Sequence, residues 1–178
     1  MAAMDEIVKA ALKKWPNVPS CHGWMGLDAR GAWYLRDEPT QAAGPFPQSK
    51  GSRIEHEKLL AFIARNYAID EHGAAFFQNG PQRVFVSLEA APWVLDVQRV
   101  GTGVRVTSQV GDEWPQIDQV WLDEAGRLFL SAPQGLGLVR SSDMDAAADR
   151  VAEGHWQPEE IAFADLIARH RIQLDPRP

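Results

Sequence analysis

Three short stretches of this chain share a spacing that could serve chemistry: an aliphatic residue, an aspartate, two variable residues and a glycine. The aspartates are Asp28, Asp70 and Asp123. A repeated carboxylate can ligate a metal or act as a general base. An aspartate that opens a type I turn can instead accept hydrogen bonds from the downstream backbone, while the glycine adopts the left-handed conformation. The turn accounts for every shared position, so we interpret the repeats as hairpin turns, with a metal or catalytic role as the alternative.

The remaining reactive residue types lack a spacing that would favour catalysis. Cys21 is the single thiol, and its neighbour His22 would face the other side of a strand. No pair of histidines has the spacing of metal ligands on one helix; the histidines are His22, His56, His72, His155 and His170. We therefore predict no catalytic residue and no metal site, with a structural or surface role for each of these side chains. An enzyme is the least supported class, although the sequence alone leaves it open.

Loops that bind phosphates or cofactors are not evident either. The chain has no nucleophile elbow, Walker loop or dinucleotide fingerprint. The stretch GPFPQSKGS, residues 44–52, contains Gly, Ser and Lys, but its prolines remove backbone donors that a phosphate would need. We therefore predict no cofactor.

Three side chains are candidates for contacting a small ligand. Arg83 lies in a β-like run whose opposite face is apolar, where it is either solvated or placed to meet an anion. Asp112 lies in the acidic stretch VGDEW, which is either a charged turn or a contact for a cation or amine. Trp33 and Tyr34 alternate on a strand, so one ring faces inward and the other is free to stack on a planar group. We predict Trp33, Arg83 and Asp112 as ligand contacts.

Composition limits the class of partner. The 178 residues carry a formal net charge of -6, which disfavours binding to phosphate backbones and to anionic membranes. No segment approaches the roughly 20 apolar residues of a membrane helix. The single cysteine fits a reducing compartment, and the first residues lack the apolar run of a signal peptide. We therefore expect a cytoplasmic protein that binds neither nucleic acid nor membrane.

The first part of the chain has the pattern of a small helix–hairpin–helix half. Periodic apolar positions predict an amphipathic helix over residues 4–14. Ser52 and Glu55 form a Ser-x-x-Glu capping box, which predicts a second helix that runs to about Tyr67. Between the helices we predict a hairpin, residues 22–28 and 31–37, and a long Pro- and Gly-rich loop, residues 39–52.

From residue 74 the apolar period changes to two, which is typical of strands. The connections between these runs are too short for parallel crossovers, so we predict an antiparallel meander. Asp143 and Gly154 predict the ends of a following helix, and Pro158 begins a last helix that runs to about Arg171. The final LDPRP is expected to fray. The predicted domains are residues 1–70, 71–153 and 154–178.

The turn repeats also suggest an internal duplication. The first and third repeats are both flanked by β-like segments, whereas the second follows directly on the predicted helix. We therefore predict that the hairpins at Asp28 and Asp123 are equivalent.

Several central motifs together resemble a known family. They are a Pro-x-x-Val strand start at Pro81–Val84, an acidic-Ala-Pro corner at Glu89–Pro92 and a Thr-x-x-Val-Gly-Asp-Glu stretch at Thr107–Glu113. With the upstream GAWYLRD, these resemble the proteobacterial domain of unknown function 1285 family over about residues 24–140. The resemblance implies a duplicated core whose C-terminal half is superficially like a pleckstrin-homology barrel, and a nucleotide-like ligand between the halves. The loop departs from that family's Gly-x-Pro-Ile pattern, so we expect a sister family.

These observations predict an α+β fold, in which a small N-terminal half packs on a larger antiparallel, barrel-like half with C-terminal helices. The leading functional hypothesis is a non-catalytic module that binds a small, nucleotide-like ligand and acts in regulation or signalling. The alternative is a protein–protein interaction or assembly module, including a homodimer, that uses a sheet edge and the 39–52 loop.

Overall fold

The structure, a computed structural model, describes residues 4–178, and the chain forms two compact units. Unit 1 contains residues 4–28, 32–90 and 173–178, and unit 2 contains residues 29–31 and 91–172. The combination of helices with two mixed sheets confirms the predicted α+β class. The boundary between the two units lies near residue 90. The strands on either side of residue 70, where the sequence suggested a boundary, pair within one sheet.

Unit 1 is built on a mixed sheet. Its helices are α1 (Glu6–Lys14), α2 (Glu38–Ala43) and α3 (Glu57–Arg65). Its strands are β1 (Cys21–Leu27), β2 (Trp33–Leu35), β3 (Ser52–Arg53), β4 (Tyr67–Ile69), β5 (Ala75–Asn79) and β6 (Gln82–Leu88). The strand order is β3-β2-β1-β6-β5-β4, and β1 and β6 pair parallel while the other neighbours are antiparallel.

This sheet curls strongly around its apolar face. Strands β2 and β4 are four places apart in the strand order, which would separate them by roughly 19 Å in a flat sheet. The rings of Trp33 on β2 and Tyr67 on β4 nevertheless meet edge to face, with centroids 5.0 Å apart. Both side chains are buried, and so is Ile63 of α3. The sheet is curved, but it stays open between β3 and β4. The second sheet, described below, is also an open row of six strands, so the barrel-like description predicted for the C-terminal half holds only loosely.

The predicted first helix is confirmed as α1, whereas the start of the second helix differs from the prediction. Ser52 belongs to β3 and pairs with Leu35, so it cannot cap a helix. The N-cap of α3 is His56, whose Nδ1 accepts the Leu59 N–H at 3.3 Å. The capping box was a false signal because β-pairing of Ser52 replaced the local helix contact.

The segment predicted as a long loop is an ordered structure around Arg36. Asp37 caps α2 by accepting the Thr40 N–H. The Arg36 side chain, only 1 % exposed, donates to the carbonyls of Gly23 at 2.9 Å, Gly44 at 2.8 Å and Ser49 at 3.0 Å. A buried guanidinium thus supplies the donors that hold an otherwise irregular stretch of backbone in place.

Unit 2 is built on a second mixed sheet. Its strands are β7 (Trp93–Val100), β8 (Gly103–Ser108), β9 (Gln119–Leu122), β10 (Leu128–Ala132), β11 (Gly135–Val139) and β12 (Glu159–Glu160). Its helices are a short 3-10 turn (Ser141–Asp143), α4 (Met144–Ala152) and α5 (Phe163–Arg169). The strand order is β12-β9-β10-β11-β7-β8. Phe163 of α5 packs edge to face on Phe129 of β10, with centroids 5.9 Å apart, so α5 covers one face of this sheet.

Two predicted details of unit 2 need correction. Asp143 precedes α4 as predicted, but its carboxylate accepts the Val97 N–H at 3.0 Å instead of capping the helix. The predicted last helix begins later, at Phe163, because Glu159 and Glu160 form β12 beside β9.

The antiparallel prediction holds for strands that are consecutive in the chain and fails for strands that are distant in it. Parallel pairs form between β1 and β6, between β7 and β11, and between β9 and β12. Short connections exclude a parallel crossover between consecutive strands only. The last strand of a meander can still pair in parallel with an earlier strand of the chain. A comparison of adjacent segments does not detect such a pair.

The three Asp–Gly repeats are confirmed as one kind of turn. Asp28 Oδ1 accepts the Ala32 N–H, and both Asp70 Oδ1 and Asp123 Oδ1 accept the N–H groups two and four residues ahead. The glycines of the repeats all have φ near +80°, at 85°, 80° and 78°. Each aspartate is therefore explained by backbone hydrogen bonds and each glycine by its conformation.

The equivalence of the turns differs from the prediction. Asp70 joins β4 to β5 in a meander whose last strand, β6, lies parallel to β1. Asp123 joins β9 to β10 in a meander whose last strand, β11, lies parallel to β7. The second and third repeats thus occupy matching places in the two sheets, whereas Asp28 joins β1 to β2. This shared topology supports an internal duplication with a different alignment of the halves.

We expect Arg36→Met to destabilise the protein by about 3 kcal/mol, because the carbonyls of Gly23, Gly44 and Ser49 lose a buried, charged donor. Urea unfolding followed by tryptophan fluorescence measures the change. Arg53→Met, an exposed arginine on β3, is the matched control and should change stability by less than about 0.5 kcal/mol. Equal effects of the two substitutions would contradict the role assigned to Arg36.

We expect Asp123→Ala to cost about 2 kcal/mol, since it removes the acceptor for two N–H groups and the 2.7 Å ion pair with Arg127. Asp145→Ala, an exposed position on α4, serves as the control. A chelator such as EDTA should leave the wild-type melting temperature unchanged. A fall in melting temperature with EDTA would instead support the metal-binding alternative.

Candidate functional site

The structure places two of the predicted ligand contacts apart from each other within unit 1. Trp33 is only 4 % exposed and packs on Tyr67, so it is the inward-facing ring of its strand. Trp33 is in register with Leu27, which pairs with Leu88 at one end of β6. Arg83 lies five residues from Leu88 along β6, or about 16 Å. Trp33 is therefore packed in the core, away from Arg83 along the sheet, and ligand contact by Trp33 stays a prediction.

Arg83 and Asp112 both have local partners. The Arg83 guanidinium lies 3.8 Å from the Phe76 ring centroid and 3.9 Å from a carboxylate oxygen of Asp70. Asp112 lies in unit 2, where its backbone carbonyl accepts the Ser108 N–H at 2.8 Å. Ligand contact by either side chain stays a prediction.

Unit 1 contains an apolar groove whose lining could bind a small molecule. It encloses about 530 Å³, within the range of about 300–1,000 Å³ for small-molecule pockets. The sheet supplies Met25, Phe77 and Val84, and α3 supplies Leu59 and Ile63. The remaining lining residues are Cys21, Trp24, Leu35, Ile54, Asn79 and Gln82.

The strand register separates the groove into a polar end and an apolar end. Cys21 pairs with Val84, and Asn79 pairs with Gln82 across the β5–β6 turn. These polar side chains therefore gather at one end of β1. At the other end Met25 pairs with Leu35, and Trp24 and Leu35 are left 41 % and 48 % exposed. A ligand with an apolar body and one hydrogen-bonding end would match this distribution.

The groove is electrostatically neutral. Among the described residues that line it, none carries a charge. Burial raises the pKa of the Cys21 thiol, so this side chain is protonated near neutral pH. The polar end thus offers amide groups and a weakly polar thiol, which suit an uncharged ligand.

Part of this groove was foreseeable from sequence. The sequence predicted the helix that contains Leu59 and Ile63, and it predicted an apolar face opposite Arg83, which is the face that carries Val84. Leu35 and Ile54 gave no signal, because their approach to the groove depends on the ordered segment around Arg36. Trp24 is exposed beside an irregular register between Cys21 and Met25, which alternation does not predict.

Outside the groove, a cluster of polar side chains surrounds the Asp–Gly turn at Asp28. Asp28, 3 % exposed, accepts from the Tyr34 hydroxyl at 3.0 Å and from Lys50 Nζ at 3.3 Å. Burial opposes the charge on Lys50, but its hydrogen bond and attraction to Asp28, helped by Glu89, raise its pKa. Burial and the Asp28 hydrogen bond raise the pKa of Tyr34. These groups satisfy one another, so the cluster fastens the 44–52 stretch to the turn.

Unit 2 contains a serine–histidine hydrogen bond that sequence spacing did not indicate. Ser131 Oγ lies 2.9 Å from His170 Nε2 and accepts from Trp121 Nε1 at 2.7 Å. His170 Nδ1 lies 3.0 Å from the Leu166 carbonyl, which can only accept, so Nδ1 carries the proton in the neutral ring. The hydroxyl therefore donates to Nε2. The apolar groove contains neither residue, and we interpret the chain of bonds as a fastening of α5 to the sheet.

In residues 4–178, no three His, Cys, Asp or Glu side chains are gathered as a bound metal would require. Nor does this part of the chain contain a helix with the length and apolar character needed to cross a bilayer.

The fold and groove define an α+β protein with two mixed sheets of related topology. The chain belongs to the family described as protein of unknown function DUF2946, whose model matches residues 4–174. The comparison with curated proteins found no match.

The fold is similar to a crystal structure of a DUF1285 family protein from Silicibacter pomeroyi. The two share a TM-score of 0.54 at 16% sequence identity, over 84% of this chain and 78% of that chain. The predicted resemblance is therefore confirmed at the level of fold. The family model that matches this chain is a different one, so the likeness to the DUF1285 family protein is one of fold.

We expect Cys21 to react slowly with iodoacetamide, because its raised pKa reduces the thiolate fraction at any given pH. Mass spectrometry at pH 8 should show alkylation at least fivefold slower in the native chain than in the chain unfolded in urea. The single cysteine makes the rate specific to this position. Equal rates in the two states would show that the groove does not bury the thiol.

Proposed function

We propose that this protein is a non-catalytic module that binds a small, uncharged and largely apolar ligand in the unit 1 groove. The observation that carries the proposal is the lining: apolar side chains along the body, amide side chains at one end and no charged group among the described lining residues. Pockets of this size and composition are typical of small-molecule sites. We further propose that the bound state is used in regulation in the cytoplasm, where a single free thiol stays reduced.

The groove chemistry narrows the ligand class that the sequence suggested. A nucleotide carries phosphates, which are usually met by Arg, Lys or grouped backbone N–H donors. The groove offers amides and the Trp24 ring, so it favours a planar or aliphatic molecule with one hydrogen-bonding end. Such a ligand gains mainly from apolar burial against Trp24, Leu35 and Met25.

A protein-interaction role is the second candidate, and one observation favours it. Trp24 and Leu35 are large apolar side chains left 41 % and 48 % exposed at the rim of the groove. An apolar side chain of a partner protein could bury them, as anchor residues do in interfaces. In that case the groove would recognise one residue of a larger surface.

The test uses the full chain and the uncharged fluorescent probe N-phenyl-1-naphthylamine. We expect a saturable increase in probe fluorescence with one site per chain. Trp24→Ala should weaken binding about tenfold, because the ring supplies apolar contact area, and Leu35→Asp should weaken it further by placing a charge at the rim. Saturating probe should also slow alkylation of Cys21, which lies at the polar end.

Trp15→Ala is the matched control, since Trp15 is 51 % exposed but does not line the groove. It should leave probe binding unchanged. The proposal would be wrong if Trp15→Ala and Trp24→Ala weakened binding equally, or if the probe failed to saturate. Stabilisation by ATP in a thermal-shift assay, without stabilisation by the probe, would favour the nucleotide prediction instead.

A further inference from the structure

Residues 173–178, which we call the tail, are held in unit 1 as an extended peptide. The Gln173 N–H donates to the Gly73 carbonyl at 3.0 Å, and Gln173 forms a parallel bridge with Ala74. The Leu88 N–H donates to the Leu174 carbonyl at 2.7 Å. These are backbone bonds of the kind by which a sheet captures an extended peptide.

Side chains add selectivity to this backbone recognition. The Ser87 hydroxyl, on a residue only 2 % exposed, donates to Asp175 Oδ1 at 2.8 Å. Pro176 is buried. A methyl group added at Gly23 would lie 3.0 Å from Arg177 Nη1, so the guanidinium lies close against that glycine. The predicted fraying of the tail is therefore wrong, because Leu174, Asp175 and Pro176 each have a place in unit 1.

The tail belongs to unit 1, although the residue before it belongs to unit 2. The preceding chain through Ile172 is part of unit 2, and its last bonds run back to Ala168 and Ile167. Every tail contact described above is made within unit 1. The binding site for the tail therefore does not depend on which copy of the chain supplies the six residues.

The connection between Ile172 and α5 carries backbone strain. Arg171 has φ of 55°, and among the described residues it is the only one other than glycine with a positive φ. The left-handed conformation is unfavourable for arginine, and strained hinge connections promote the exchange of an element between identical chains. An extended conformation at Arg171 would release this strain while leaving the contacts of the tail intact.

We propose that the tail is an exchangeable peptide ligand: unit 1 carries a peptide site that the tail of the same chain fills in a monomer and that the tail of a second copy fills in a dimer. The ligand is an extended peptide with the order Leu-Asp-Pro, in which the aspartate meets Ser87. Release of the hinge at Arg171 converts one state to the other. This proposal is independent of the apolar groove.

Disulfide trapping in the full chain tests the exchange. In a Cys21→Ser background, one chain carries Ser87→Cys and another carries Asp175→Cys. After the two are mixed at high concentration and oxidised, we expect a disulfide between the two introduced cysteines, identified by mass spectrometry of the linked peptides. A chain with both substitutions should form the same bond internally, which establishes that the geometry permits it.

Matched variants separate exchange from random collision. Asp145→Cys, at an exposed aspartate on α4, replaces Asp175→Cys in the control mixture and should give at least fivefold less cross-linked product. Arg171→Gly should lower the yield at least threefold, because glycine accepts a positive φ. The proposal is overturned if the double variant closes internally while the mixture gives no more product than the control. It is also overturned if Arg171→Gly leaves the yield unchanged.

Discussion

A single buried guanidinium holds the backbone that forms part of the apolar groove in unit 1. Arg36 contacts the carbonyls of Gly23, Gly44 and Ser49, and it thereby joins β1 to the segment that follows β2. Burial lowers the pKa of this guanidinium, yet its ordinary value is so high that it stays charged. Without these donors the three carbonyls would lose their partners. The irregular stretch, which contains three prolines, would then lack the contacts that hold it in one conformation.

The segment that Arg36 holds in place is connected to the groove through β3. The ordered segment leads into Ser52 and Arg53, which pair with β2, and then into Ile54, whose N–H donates to the Trp33 carbonyl at 2.8 Å. Ile54 forms one wall of the groove, and Leu35 of β2 forms its rim. The apolar site therefore depends on a charged side chain outside it.

Both sheets pair the last strand of a meander with an earlier strand that lies outside that meander. In each unit the last strand of a meander, β6 or β11, lies parallel to the strand that comes first in the chain, β1 or β7. An Asp–Gly turn joins the first two strands of each meander. The likeness to the DUF1285 family protein is one of fold, since the sequence identity is 16%. Topology of this kind is retained when the turn residues and the alternation of apolar residues are retained.

Patterns among neighbouring residues were enough to predict many of the strands and all three Asp–Gly turns. Period-two runs located the strands from Ala75 to Val139, and Asp with Gly three residues later located the three turns, because these features depend only on neighbours in the chain. Three features depend on pairing between residues that are distant in the chain. They are the parallel contact of β1 with β6, the pairing of Ser52 that removed its capping role, and the binding of residues 173–178 to unit 1. The tertiary structure also decided the candidate site. Trp33 and Trp24 belong to adjacent strands, yet curvature of the sheet buries the first and leaves the second at the rim of a groove. The burial of a side chain depends on all of its contacts in the folded sheet, and a local sequence pattern does not show these contacts.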